Sequence, residues 1–169
     1  MHCEMNQLNQ ALGPLVREWQ SPPHPGREIL AVRFCRLKPL DARHAESLYS
    51  ANGLDVEGRN WTYLPYGPFE TLADFRAWIE QHCCGSDPLF YAIIDLARKE
   101  AVGVASYLRI TPSSGSIEVG HINYSPLLQR TPAATEAMYL MMARVFELGY
   151  RRYEWKCNAL NTPSRTAAQ

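Results

Sequence analysis

The chain is short of most features that mark a specialised class. It carries no excess charge, since 17 basic residues balance 17 acidic ones over 169 residues. That balance favours neither a nucleic-acid surface nor an anionic membrane surface, so any anion site has to be local. No apolar run approaches the ~20 residues needed to span a bilayer. The N-terminus, Met1 to Asn6, lacks the basic and apolar stretches of a secretory signal. Cysteines are few, odd in number and scattered (Cys3, Cys35, Cys83, Cys84 and Cys157), and the adjacent Cys83 and Cys84 do not fit a zinc-ligand spacing. They read as reduced thiols in a cytoplasmic protein with no metal. There is no internal repeat. What remains is ordinary: 46% apolar and 20% charged residues, the make-up of one globular domain with a real core.

Along the chain, residues 5–19 have the pattern of a short helix, stopped by the cluster Ser21-Pro22-Pro23-His24-Pro25-Gly26. Residues 1–28 therefore form an N-terminal arm, and 29–169 the domain proper. Residues 29–37 read as a strand, and Asp41 as the N-cap of a helix to about Asn52, with Gly53 as its stop. The segment Asn60–Phe69 places Trp61, Tyr63, Tyr66 and Phe69 among Pro65, Gly67 and Pro68, which excludes a regular helix. It is either an irregular stretch pinned by its rings or one wall of a substrate pocket. Thr71 and Asp74 open a helix to about Cys84, with Leu72, Phe75, Trp78 and Ile79 on its inner face. Three strands follow with short hairpin links, at 89–96, 101–110 and 116–124. A helix spans 132–148, with Thr131 as N-cap, Pro132 in its first turn and Gly149 beyond its end. Its Met138, Met141, Met142, Val145 and Phe146 read as core filler. A strand at 150–157, a loop at 158–164 and a helix opening at Ser164 complete the order. The central strands are antiparallel, and the strand–helix–strand unit from 116 to 157 is a parallel crossover, giving a mixed-sheet α+β domain.

The most informative stretch is Ser116 to Ala137. A strand hands over, through a short turn, to the N-terminus of the longest helix. Free backbone N–H groups at such a junction hold a phosphate or pyrophosphate without a dedicated cationic pocket.

Three motifs then carry a resemblance. Glu118-Val119-Gly120 lies on the strand before that helix, Gln129-Arg130-Thr131-Pro132-Ala133-Ala134 forms the turn, and Asn158-Ala159-Leu160-Asn161-Thr162-Pro163-Ser164 enters the last helix. This ordered set resembles the GCN5-related N-acetyltransferase (GNAT) superfamily over about residues 29–169. Within it, the aromatic segment Asn60–Phe69 is similar to the branch of ribosomal-protein-alanine acetyltransferases. Two departures stand out. Pro132 replaces the first glycine of the pyrophosphate loop and has no N–H to offer, and family members continue past the last helix, so a chain ending at Gln169 reads as C-terminally incomplete.

The resemblance implies acetyl-CoA as cosubstrate, held in a gap between the strands at 116–124 and 150–157. Backbone groups of Ile122, Asn123 and Tyr124 would bind the pantetheine arm. Gln129, Arg130, Thr131, Ala133, Ala134 and Thr135 would cradle the pyrophosphate, and Asn161 would contact the arm. Glu118 is the candidate base for the acceptor amine, with His121 as a second candidate, and Ser164 would protonate the departing thiolate or act as an N-cap. Trp61, Tyr63 and Tyr66 would face the acceptor. Arg144, Arg151, Arg152, Lys156 and Arg165 read mainly as a solvated basic face. The expected activity is direct acetyl transfer to a primary amine, of a protein N-terminus or a small molecule. The alternative is a truncated, weakly active or inactive interaction module. In either case the expected partners include no nucleic acid and no membrane, and a homodimer would complete the open sheet.

Overall fold

The computed structural model describes residues 4–169. Cys3 lies outside the described residues; Cys35, Cys83, Cys84 and Cys157 are all free thiols.

Six strands form one sheet in chain order: β3 (Leu30–Ala31), β4 (Cys35–Pro39), β5 (Leu89–Asp95), β6 (Glu100–Thr111), β7 (Ser116–Tyr124) and β8 (Arg152–Trp155). All neighbours are antiparallel except β7 and β8, which the crossover helix makes parallel. This is the mixed α+β architecture read from the sequence. β5 and β6 lie at the centre, and their buried runs show that both sheet faces are covered.

One face packs against α3 (Pro132–Glu147), through Tyr91, Tyr107, Ile117, Val119, Met141 and Val145. The other carries α1 (Ala45–Asn52) and α2 (Leu72–His82), through Leu40, Leu48, Trp61, Phe75, Ile79 and Phe90. Local chemistry sets the helix starts. Asp41 caps a 3-10 turn at Ala42–His44 that leads into α1. Thr71 accepts from the Asp74 N–H, and Thr131 from the Ala134 N–H.

Four expectations need correction. Residues 5–19 are not helical: Glu4–Met5 (β1) and Ala11–Leu12 (β2) pair as a small hairpin, held by the Asn6 side-chain oxygen, which accepts from the N–H groups of Leu8 and Gln10. The strand expected at 29–37 breaks between Ala31 and Cys35, because the Glu136 carboxylate accepts from the N–H groups of Arg33, Phe34 and Cys35 and folds the chain around it. The last helix, α4 (Thr162–Ala167), starts two residues early, with Asn161 rather than Ser164 as its N-cap. On α3, Met141 and Val145 are buried but Met142 and Phe146 are exposed. The prolines at 22–25 run along the body, where Tyr150 Oη donates to Pro23 O (3.2 Å) and Tyr91 Oη to Gly26 O (2.9 Å).

Candidate active site

The site is built where β7 leaves its parallel neighbour. β8 follows β7 only from Ser116↔Arg152 to Val119↔Trp155. Beyond Val119, the edge of β7 facing away from β6 runs beside a gap. The register against β6 shifts between the pairs Val104↔Asn123 and Ser106↔Gly120, so His121 and Ile122 together oppose one residue. His121 takes φ = 50° there, the left-handed geometry of a bulge. The bulge turns its ring toward the α2 side, between Phe90 (4.9 Å between centroids) and Tyr66 (5.8 Å).

His121 Nδ1 lies 2.8 Å from Ser106 Oγ, and that hydroxyl also donates to Gly120 O at 3.3 Å. Burial, reinforced by the Arg109 charge, holds the imidazole pKa below its ordinary value, so the ring is neutral near neutral pH. Tyr66 stacks on Trp78 and approaches Trp61, and burial pushes its phenol pKa upward. The structure thus brings Trp61 and Tyr66 together with His121. Tyr63 is left 43% exposed, outside this ring cluster.

Glu118 is buried and clamped. Arg109 Nε and Nη2 donate to its two carboxylate oxygens at 2.8 and 2.6 Å, and Lys156 Nζ donates at 2.8 Å. Burial works against the charge, but the two cations outweigh it and hold the carboxyl pKa below the ordinary range. The expected basic face is therefore largely paired: Lys156 also bridges to Glu154, Arg152 binds Glu154, and Arg144 binds Glu28. Arg109, Lys156 and Ser106 escaped the sequence reading as site residues. Strand alternation placed them, but only the pairing shows what they touch.

At the helix junction, Arg130 sits at φ = 60°. Among the described residues, the N–H groups of Arg130, Thr131 and Ala133 donate to no protein acceptor, whereas those of Ala134 and Thr135 bond back to Thr131. Pro132 occupies the first turn without disturbing the cap. The Gln129 side chain donates to Tyr124 O (2.8 Å) and to Asn60 Oδ1 (2.9 Å), while Asn60 Nδ2 donates to the same carbonyl, which ties the aromatic segment to the end of β7. Asn123 is buried, and both its side-chain polar atoms are without a partner among the described residues. At α4, Ser164 Oγ accepts from Trp155 Nε1 at 3.0 Å, which leaves its own proton available. Asn161 Oδ1 caps α4, accepting from the Ser164 N–H at 3.2 Å. The described residues contain no cluster of three or more potential metal ligands, and none of their helices is long and apolar enough to cross a membrane.

A splayed parallel pair beside a helix N-terminus with free amides can take an extended ligand along the strand edge and an anion at the helix end. The sequence model of the acetyltransferase (GNAT) domain matches residues 35–169. The crystal structure of a GCN5-related N-acetyltransferase from Brucella melitensis is 42% identical, with a TM-score of 0.87 over 90% of this chain and 70% of that one. A probable acetyltransferase of the GNAT family from Chromobacterium violaceum is 36% identical, with a TM-score of 0.82 over 94% of this chain and 80% of that one. The microcin C7 self-immunity acetyltransferase MccE, solved with acetyl-CoA and AMP, shares the fold at 19% identity and a TM-score of 0.68, over 80% of this chain and 76% of that one. No curated protein matches the chain. The chain belongs to the GNAT family of N-acetyltransferases.

Proposed function

We propose that the protein transfers an acetyl group from acetyl-CoA directly to a primary amine, with residues 29–169 as the catalytic domain and 1–28 as an N-terminal arm. The observation that carries this reading is the unpaired edge of β7 from Gly120 to Tyr124, ending at the three free amides of Arg130, Thr131 and Ala133. An extended pantetheine arm adds to such an edge as a further strand would. The pyrophosphate then meets the positive end of the α3 dipole, with the Arg130 side chain as a further donor. Acetyl-CoA supplies the activated thioester. Ser164, already accepting from Trp155, is aligned to give its proton to the departing sulfur.

The attacking amine has to be neutral. An α-amine, with a pKa near 8, needs less help than a lysine, near 10.4. Of the two candidate bases, His121 fits the proton-accepting role. With the Ser106 hydroxyl proton on Gly120 O, the His121 Nδ1–H donates to Ser106, and Nε2 keeps its lone pair. Glu118 is held ionised between Arg109 and Lys156, and its charge opposes the effect of Arg109 on His121. Trp61, Tyr63 and Tyr66 wall the acceptor side. The aromatic segment Asn60–Phe69 supports the ribosomal-protein-alanine-like branch and, with it, a peptide N-terminus as acceptor. The active form is a cytoplasmic homodimer.

The test is kcat/KM against pH with acetyl-CoA and amines chosen by a mass-spectrometric screen of peptides and small amines. Once the protonation of the acceptor amine is divided out, the wild-type profile keeps an acid limb below pH 6.5, set by the lowered His121 pKa. His121→Asn keeps the Ser106 contact, abolishes that limb and lowers kcat by about 10²-fold. A limb that survives in His121→Asn but disappears in Glu118→Gln assigns the proton to Glu118. No acetylated product from either acceptor class counts against the transferase reading.

A further inference from the structure

Away from β7 and the loop at 129–135, a pocket of about 430 Å³ opens between the end of α1 and the aromatic segment. That is the size of a small-molecule site. Its apolar wall is aromatic: Trp61, Phe69 and Phe75, with Phe69 edge-on to Trp61 at 5.7 Å between centroids. Its charged side chains are both acidic, and the Tyr49 hydroxyl beside them already donates to Glu70 O (2.8 Å). Asp55 lies on the rim with one carboxylate oxygen taken by the Asn60 N–H (2.8 Å) and the other without a protein partner among the described residues. Glu57 is also on the rim, paired with Arg59, which is not among the lining residues. No lysine, arginine or histidine lines the pocket.

A second observation comes from Asn52, in the last turn of α1. It lines the pocket yet is only 8% exposed. Its Nδ2 donates to Leu48 O at 3.0 Å, while its Oδ1 is buried with no partner among the described residues. A buried acceptor left unpaired costs about 1–3 kcal/mol, so the wall has an unmet demand for a hydrogen-bond donor. Aromatic faces, one uncompensated carboxylate and an orphan amide oxygen share a single complement: a cation that also carries N–H donors.

We propose that this pocket binds the primary ammonium group of a small organic cation, with its carbon chain against Trp61 and Phe69 and its N–H groups directed to Asn52 Oδ1 and Asp55. None of the lining residues belongs to the edge of β7 or to the helix junction, so binding requires no acetyl-CoA. The side chain common to this pocket and the transfer site is Trp61, which borders the pocket and also packs on Tyr66, the neighbour of His121.

The test uses three probes on the full chain: butylammonium, tetramethylammonium (charge without N–H donors) and butanol (neither charge nor N–H). Binding is followed by Trp61 emission, isolated as the difference between wild type and Trp61→Phe, because the chain holds four tryptophans. Butylammonium is expected to bind about tenfold more tightly than butanol, with tetramethylammonium between them. Asp55→Asn, which keeps an oxygen for the Asn60 N–H, should weaken butylammonium about fivefold and leave butanol unchanged. Ligand-observed NMR on Asn52→Leu gives a second reading, with butylammonium again weakened and butanol not. Equal binding of the charged and neutral probes, or an Asp55→Asn chain that binds butylammonium like wild type, overturns the proposal. So does a wild-type chain that still binds acetyl-CoA calorimetrically but shows no response to any probe.

Discussion

At the scale of single residues, the site is governed by what each charge faces. Glu118 illustrates this best. The resemblance marked it as the candidate base and strand alternation gave its side, but neither showed the two cations that meet it, because Arg109 and Lys156 come from β6 and from just past β8. Its carboxylate is 4% exposed, while Arg109 and Lys156 are 62% and 57% exposed. Removing the carboxylate therefore leaves two cations that can turn to water, and the cost is smaller than for a fully buried pair. Glu118→Gln is expected to lower stability by about 1–2 kcal/mol at neutral pH. The pH dependence has a definite sign. The folded-state pKa lies below the ordinary 4.5, so the stabilisation is fully present above the unfolded-state value and disappears as pH falls through the folded one. Urea midpoints measured between neutral pH and about pH 3.5 should show wild type losing stability in that window and Glu118→Gln losing less of it. Parallel slopes would remove Glu118 from the acid response.

At the scale of elements, the helices and the central strands were legible because their signals are local. Thr131-Pro132 at the start of α3, Gly149 beyond its end at φ = 95°, and the continuous apolar run of β5 depend on neighbours in sequence. The misread elements depend on distant partners or on side chains turned to their own backbone. The break between β3 and β4 is written by Glu136, about a hundred residues away, and the β1–β2 hairpin by Asn6 closing its own turn. The bulge at His121 was equally hidden, since a register shift has no signature in one strand alone. The aromatic segment lies between these cases: its irregularity was plain, its anchoring was not. Gly67 sits at φ = 73° directly against the Trp61 ring, and a methyl group there would overlap Cε3 and Cζ3 of the indole. Gly67→Ala should therefore displace Trp61 and destabilise the protein by about 2–4 kcal/mol, combining left-handed strain with overpacking. Gly85→Ala, with nothing within 4 Å of the added carbon, is the control and should change stability by less than about 0.5 kcal/mol. Thermal unfolding of the pair, with Trp61 emission as the local probe, checks both the size and the place of the effect.

At the scale of the whole molecule, the sheet has two ends that are managed differently. At one end, the two-residue β3 is too short to template another strand, and the chain folds away around Glu136. At the other end, β8 has β7 on one side and, among the described residues, no strand on the other. Its residues Arg152–Trp155 present an open backbone edge on the side away from β7 and from the gap between the two strands. Exposed apolar side chains on α3 form a separate stripe, Tyr139, Met142 and Phe146, at helical spacing. Either feature can hold a second copy, but they differ in kind. Edge pairing depends on backbone hydrogen bonds and tolerates changes on α3, whereas stripe packing depends on those three side chains. The homodimer expected from the open sheet should appear in light scattering as twice the 19.2 kDa chain mass. It should persist in Phe146→Lys, a substitution at a half-exposed position that spoils the stripe and leaves the edge intact. A wild-type mass of one chain across the accessible concentration range removes the dimer. A mass that falls to one chain only in Phe146→Lys moves the interface from β8 to α3.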